Sequence, residues 1–364
     1  MAGTYGGKKA CPLPPGTADF YSDGKSIPPR EMREAALDAP LGDEQEEGDP
    51  TTTRLVDRVA ELLGKENALF LPSATMANEL AVAVHCRRGD EIICERSSHI
   101  VTFEAGGPGL LAGVQTQMLD GENGMFGPQQ VVAALRPKGN LYIPESALVA
   151  VEQTANMGGG AVWPLHQMRA VARVAAEAGI ATHLDGARLM NAAVKTGVSA
   201  KDYSDGYDSV TLCFSKGLGS PFGAALAGSE EFIRRAARLR QIIGGGLRQS
   251  GFMAALCLYA LDHNVERLAD DHRRAAQIAS FLEGLAWVDT VLPAETNIVI
   301  FDISRDGPTA ADLVAELLLR GFAVGAFGER RIRIVTHIGV DQDDTVRLCT
   351  ELKTLLSPPP APAV

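Results

Sequence analysis

No CxxC pair occurs in this chain of 364 residues, and its cysteines, Cys11, Cys86, Cys94, Cys213, Cys257 and Cys349, lie far apart, mostly inside apolar runs. A zinc ribbon or thioredoxin-like centre is thereby excluded, and buried reduced thiols in a cytoplasmic protein are expected. No apolar run approaches the roughly 20 residues of a membrane span. No hydrophobic segment follows the lysines of the N-terminal MAGTYGGKKACPLPPG, so no secretory signal is expected. Positive charge is in deficit: 34 Lys and Arg face 45 Asp and Glu, a formal net charge of −11. That balance argues against nucleic acid or an anionic membrane as main partner. His85, His166, His183, His263 and His272 show no metal-ligand spacing, so no metal is expected. His337 follows Arg333 on one strand pattern and lies near a site only if that strand lines it. An acidic soluble enzyme is what remains.

The chain is long enough for a large domain and a smaller one. The helical stripe of TRLVDRVAELLG (Leu55, Val56, Val59, Leu62, Leu63) precedes short β-rich runs: NALFLP, DEIICE, VQTQML, ALVAVEQT, IATHLDGA and DSVTLCFS. The helical HQMRAVARVAAEAG falls between two of them. This alternation predicts an α/β fold with a mainly parallel sheet sandwiched by helices. Beyond Gly251 come one long helix or two in sequence, then TNIVIFDI, ADLVAELLLRG and RIRIVTHI, a compact α+β unit. The expected division is an N-terminal arm (1–26), a large domain (27–253) and a small C-terminal domain (254–364). Residues 1 to about 18 and the tail from Ser357 read as loose ends.

Ligands of a parallel sheet collect at the carboxyl ends of its strands. Three groups fall at such ends: Ser73–Ala74–Thr75 after LFLP, Asp185 in THLDGARL, and Lys216 in CFSKGLGSPFG. Taken singly, each has a plain alternative: a strand-to-helix turn, a turn-forming Asp-Gly, and a surface lysine with a buried stem. Taken together they form an anion cradle at a helix start, a carboxylate in a poorly solvated crevice and a lysine desolvated enough to form a Schiff base. Arg188, three residues after Asp185, adds a planar donor for a carboxylate or phenolate. The cofactor needing a phosphate site, an anion at its ring nitrogen and a lysine for its aldehyde is pyridoxal 5'-phosphate.

The motifs PSATMAN, SSHI, THLDGARLMNAA, SVTLCFSKGLGSPFG, GGGLRQSG and RIRIVTH also occur here in one order over residues about 20 to 340. In this they resemble the low-specificity L-threonine aldolases, fold-type-I pyridoxal-phosphate enzymes of the beta-eliminating lyase group. The resemblance implies roles for matched positions. Lys216 would hold the cofactor, Asp185 would pair with its ring nitrogen, and Ser73, Ala74 and Thr75 would hold its phosphate. Arg188 would lie near the cofactor oxygen and the substrate carboxylate, which Arg333 and Ser22 would grip. His99 would stack on the ring; it is the candidate base, directly or through water, with stacking alone as the alternative. Arg248 would reach a neighbouring subunit's phosphate in a homotetramer built as a dimer of dimers. The implied reaction cleaves a β-hydroxy-α-amino acid such as L-threonine to glycine and an aldehyde. The alternatives are β-elimination, β-substitution or aldehyde transfer on the same scaffold.

Three positions depart from the family pattern: Ala155 replaces a histidine near the substrate hydroxyl, Glu46 a tyrosine, and Gln241 a phosphate-binding lysine. One expectation is that space freed at Ala155 admits a bulkier β-substituent. Glu46 either projects into the pocket or belongs to the solvated acidic run Asp43–Asp49.

Overall fold

The computed structural model describes residues 12–355; Cys11 and the tail from residue 356 lie outside them. The chain enters through a two-residue strand, β1 (Ala18–Asp19). Seven strands then build the main sheet: β2 (Asn67–Leu71), β3 (Glu91–Glu95), β4 (Gln115–Leu119), β5 (Ser146–Glu152), β6 (Ala181–Gly186), β7 (Ser209–Cys213) and β8 (Ala224–Gly228). Their spatial order is β2-β8-β7-β6-β5-β3-β4. The ladders joining β4, β3, β5, β6 and β7 are parallel, and β8 runs antiparallel to both its neighbours.

Strands covered on both faces must be apolar throughout, and β7 (SVTLC) is buried at every position. The helix Leu165–Ala178 turns Met168, Val171, Ala172 and Ala175 into the core and stops at Gly179 in the left-handed conformation, φ 64°. The helix Pro50–Leu63 buries Leu55, Val59 and Leu63; the Asp49 carboxylate caps its start by accepting from Thr52 N. The strand β8 escaped the sequence reading because AALAG carries no β-branched residue. Its alternation is nonetheless that of a strand: Ala225 and Ala227 face the main core, and Leu226 faces the cluster under the helix Ala74–His85.

The C-terminal part adds β9 (Val288–Val291), β10 (Ile298–Ile303), β11 (Phe322–Ala323), β12 (Gly325–Ala326) and β13 (Arg331–Val335). An antiparallel sheet of order β12-β13-β10-β9 results, while β11 pairs in parallel with β1. The long apolar segment after Gly251 is two helices, Gly251–His263 and Leu268–Glu283. The first packs Ala254, Leu258 and Leu261 into the main core, and the second packs Ala275, Ile278 and Leu282 into a separate one with Val299 and Ile334. Phe20 belongs to that second core, and its carbonyl accepts from Val335 N at 2.8 Å. The segment after Phe20 is thereby anchored where it can cross to the carboxyl end of the main sheet.

Candidate active site

Five residues singled out in the sequence, Ser22, His99, Arg188, Lys216 and Arg333, line one cavity of about 230 Å³. Lys216 arrives from the turn after β7, Arg188 from the turn after β6 and Arg333 from the middle of β13. Tyr21, Phe103, Asn156 and Phe327 complete the wall.

The sequence reading missed Asp23. Ser22 caps a single 3₁₀ turn, Asp23–Lys25, by accepting from Gly24 N, and that turn buries Asp23 completely. Arg188 grips it bidentately, Nε to Oδ2 and Nη2 to Oδ1, both 2.8 Å. Burial alone would raise the Asp23 carboxyl, but the charge and paired donors of Arg188, with Lys216 nearby, hold it well below the usual carboxylate range. Arg188 is therefore already neutralised. Arg333 is not: its Nη1 donates to Asn156 Oδ1 at 3.0 Å and its Nη2 to Tyr21 O at 3.3 Å, both neutral acceptors. Its Nε is buried without an acceptor among the described residues, and the guanidinium sits 4.2 Å over the Phe327 ring. Burial and the like charge of Arg188 lower Arg333 to about 10. No carboxylate pairs with it among the described residues, and a buried cation so placed in a cavity wall suits an anionic ligand.

Beneath the cavity, Asp185 ends β6 with Oδ1 accepting from Ala187 N at 3.0 Å and Oδ2 from Asn78 Nδ2 at 2.8 Å. Asn78 also donates to Glu104 Oε1 at 2.8 Å, and its carbonyl accepts from Thr211 Oγ1 at 2.9 Å. The same carbonyl lies 3.1 Å from His183 Nε2. Burial lowers His183 to about 4, so this ring is neutral and donates there. His99 joins through Nδ1, 2.7 Å from Glu104 Oε1, and its backbone N donates to Glu152 Oε2 at 2.6 Å. Asn78, Glu152 and His183 fall within PSATMAN, ALVAVEQT and THLDGARL, but neither they nor Glu104 had a legible role, because the elements bearing them meet only in three dimensions.

Ser73 caps the helix Ala74–His85, Oγ accepting from Met76 N at 3.2 Å. The first amides of that helix, including those of Ala74 and Thr75, have no intrahelical acceptor and suit an anion. A helix N-terminus, a buried carboxylate, a cavity lysine and arginines with one charge uncompensated are the donor set that pyridoxal phosphate and an amino-acid carboxylate require; the residues fit.

Other expected residues lie elsewhere. Arg248 is exposed and pairs with Asp43 at 2.8 Å, away from the cavity wall of its own chain. Glu46 is 72% exposed beside Arg248 at 3.9 Å, which is the solvated acidic run. Gln241 is exposed and lies against Gly246. Ala155 frees no space: it is 2% exposed, its backbone bridges to Ala161, and Gly124 and Gly158 close over its methyl. A Cβ on Gly124 would lie 2.7 Å from that methyl. No room for an imidazole remains there. His337 serves the frame, its ring nitrogens bonding Asp19 O at 2.7 Å and Ser26 Oγ at 3.0 Å.

A family model for beta-eliminating lyases matches residues 19–306. The low specificity L-threonine aldolase of Escherichia coli is 37% identical over 340 residues, 93% of this chain and 99% of that protein. Low-specificity L-threonine aldolase 1 of Arabidopsis thaliana is 36% identical over 334 residues, 90% of this chain and 93% of that one. The solved structure of Leishmania major threonine aldolase matches with a TM-score of 0.80 at 18% identity, covering 93% of this chain and 99% of that one, a likeness of fold. By these matches and the motifs gathered around its cavity, the chain belongs to the beta-eliminating lyase family, among the low-specificity L-threonine aldolases.

Proposed function

We propose that this lyase cleaves β-hydroxy-α-amino acids such as L-threonine and L-allo-threonine between Cα and Cβ, giving glycine and an aldehyde. The observation that carries the reading is the buried Arg333, with no ion pair among the described residues, beside Lys216 and His99 in one cavity. Bound pyridoxal phosphate supplies an electron sink for the bond broken at Cα. Lys216 would hold it covalently, Asp185 would pair with its ring nitrogen, and Ser73, Ala74 and Thr75 would hold its phosphate. Arg333 takes the substrate carboxylate, with Ser22 beside it, while Asn156, bonded to both Arg333 and Arg188, fixes the two guanidinium planes. Fixing the carboxylate chooses which Cα bond faces the sink.

His99 accepts the β-hydroxyl proton. Its Nδ1 is engaged by Glu104, which leaves Nε2 to take that proton. Loss of that proton lets the Cβ–O bond become a carbonyl as Cα–Cβ breaks. Return of a proton to Cα completes glycine. Three-part organisation supports this: the arm (1–26) supplies Ser22 and Asp23, the large domain (27–253) the cofactor residues and the small domain (254–364) Arg333. Arg248, exposed on its own chain, reaches the phosphate of a second subunit in a dimer of dimers. The described cysteines are free and buried, and among the described residues no helix is long and apolar enough to cross a membrane; both features suit the cytoplasm.

The test is glycine and acetaldehyde release from L-threonine by the cofactor-loaded protein, with Lys216→Ala as control. Equal yields that vanish in the variant are expected. 2-Oxobutanoate and ammonia in place of glycine would overturn the aldolase reading in favour of β-elimination.

A further inference from the structure

Glu79 follows Asn78 on the helix Ala74–His85 and is 4% exposed. As an anion it finds no hydrogen-bond donor for either oxygen among the described residues, and neither does Glu104 Oε2. Glu104 Oε1 is already shared by Asn78 and His99. Gly107 links the two residues, its N donating to Glu104 O at 2.8 Å. Gly107 presses its backbone on Glu79 so closely that a Cβ there would stand 1.8 Å from Oε1. Two adjacent buried anions are unfavourable, and a single proton between them satisfies an oxygen on each side.

We infer that Glu79 is a positioning residue that carries a proton, donates it to Glu104 Oε2 and keeps the acid pair behind His99 at a single negative charge. The kinetic consequence of this rests on the aldolase reading; the protonation itself does not.

Titratable and charged groups face this helix from several elements. These are Glu152 on β5, His183 and Asp185 on β6, Cys213 on β7, His85 on the helix itself, and Arg235 and Arg240 on the helix Glu230–Ile242. Of all charged groups it is Glu104 whose charge acts on the Glu79 carboxyl. Burial first, then that charge, raises Glu79 from 4.5 to about 8. Because the folded value lies above the unfolded one, its contribution to stability is complete below pH 4.5 and is lost as pH rises through about 8. Above that pH, His99 faces two anions.

The test is infrared spectroscopy of the full chain loaded with pyridoxal phosphate. A carboxylic-acid C=O band, distinct from carboxylate, is expected at neutral pH and should be lost in Glu79→Gln. In Glu104→Gln, which removes the neighbouring anion, the band should disappear at lower pH than in the parent. The change in kcat/KM for L-threonine near pH 8 should be absent from the Glu79→Gln profile. No acid band at neutral pH, a band that survives Glu79→Gln, or a band unmoved by Glu104→Gln would each overturn the inference. None of these spectral outcomes depends on which amino acid is cleaved, so failure here is distinguishable from failure of the aldolase reading.

Discussion

Asp23 and Arg188 show how much of a site can rest on one pair. The bidentate contact is fully buried, and breaking it from one side leaves a guanidinium in the interior without its anion. Asp23→Ala should therefore cost about 3–5 kcal/mol in urea-induced unfolding. The pH dependence has a definite sign. Asp23 is held below its unfolded value of 3.8, so its contribution is present above that pH and lost as pH falls beneath it. Unfolding free energies measured down through pH 3.8 should fall less steeply for the variant than for the parent. Equal stability at neutral pH would mean that Arg188 finds another anion. Arg188 was legible three residues after Asp185 in HLDGAR, whereas its partner lies 165 positions away in a segment whose only local signal is a short cap.

Elements show the same division. Strands with apolar or β-branched runs, β3, β5 and β7 among them, stand where their composition placed them, and β8 does not because alanine has little strand preference. The segment around Ala155 is the sharper case. A residue smaller than its family counterpart reads as an opened pocket, yet Gly124 and Gly158, from two separate turns, pack against the methyl. Replacing Ala155 by histidine should thus overpack the loop, destabilising the protein by about 1–3 kcal/mol in thermal or denaturant unfolding without raising turnover of L-threonine. A variant as stable as the parent and faster would show that the loop yields to a side chain there. Close packing explains the expectation, since a core fills volume wherever a backbone without Cβ can approach.

At the scale of the whole molecule, Arg248 is the residue a single chain leaves without a site. It is 56% exposed, held by Asp43 and near Glu46, and a screened surface pair of this kind contributes little. In the proposed dimer it reaches the partner's phosphate. Arg248→Ala should lower affinity for pyridoxal phosphate by about 10- to 100-fold, the worth of one charge-assisted hydrogen bond, while sedimentation still reports an assembly. Spectrophotometric titration with the cofactor reads the first quantity. Unchanged affinity in a variant that still assembles would place Arg248 outside the site.

The sequence by itself determined which groups stand at the strand ends. Ser73–Thr75, Asp185, Arg188 and Lys216 sit in short local patterns of strand, turn and helix start, and such patterns depend on neighbours a few residues apart. It also determined the parallel sheet, because apolar strands alternating with amphipathic helices bury themselves in few other ways. Only the tertiary structure decided what surrounds that chemistry. Asp23 reaches Arg188 from the arm, Glu104 reaches His99 and Asn78 between two loops and a helix, and Glu79 acquires its neighbour by the approach of Gly107. A charge's protonation depends on distance and desolvation in space, and neither is written in the spacing of residues along the chain.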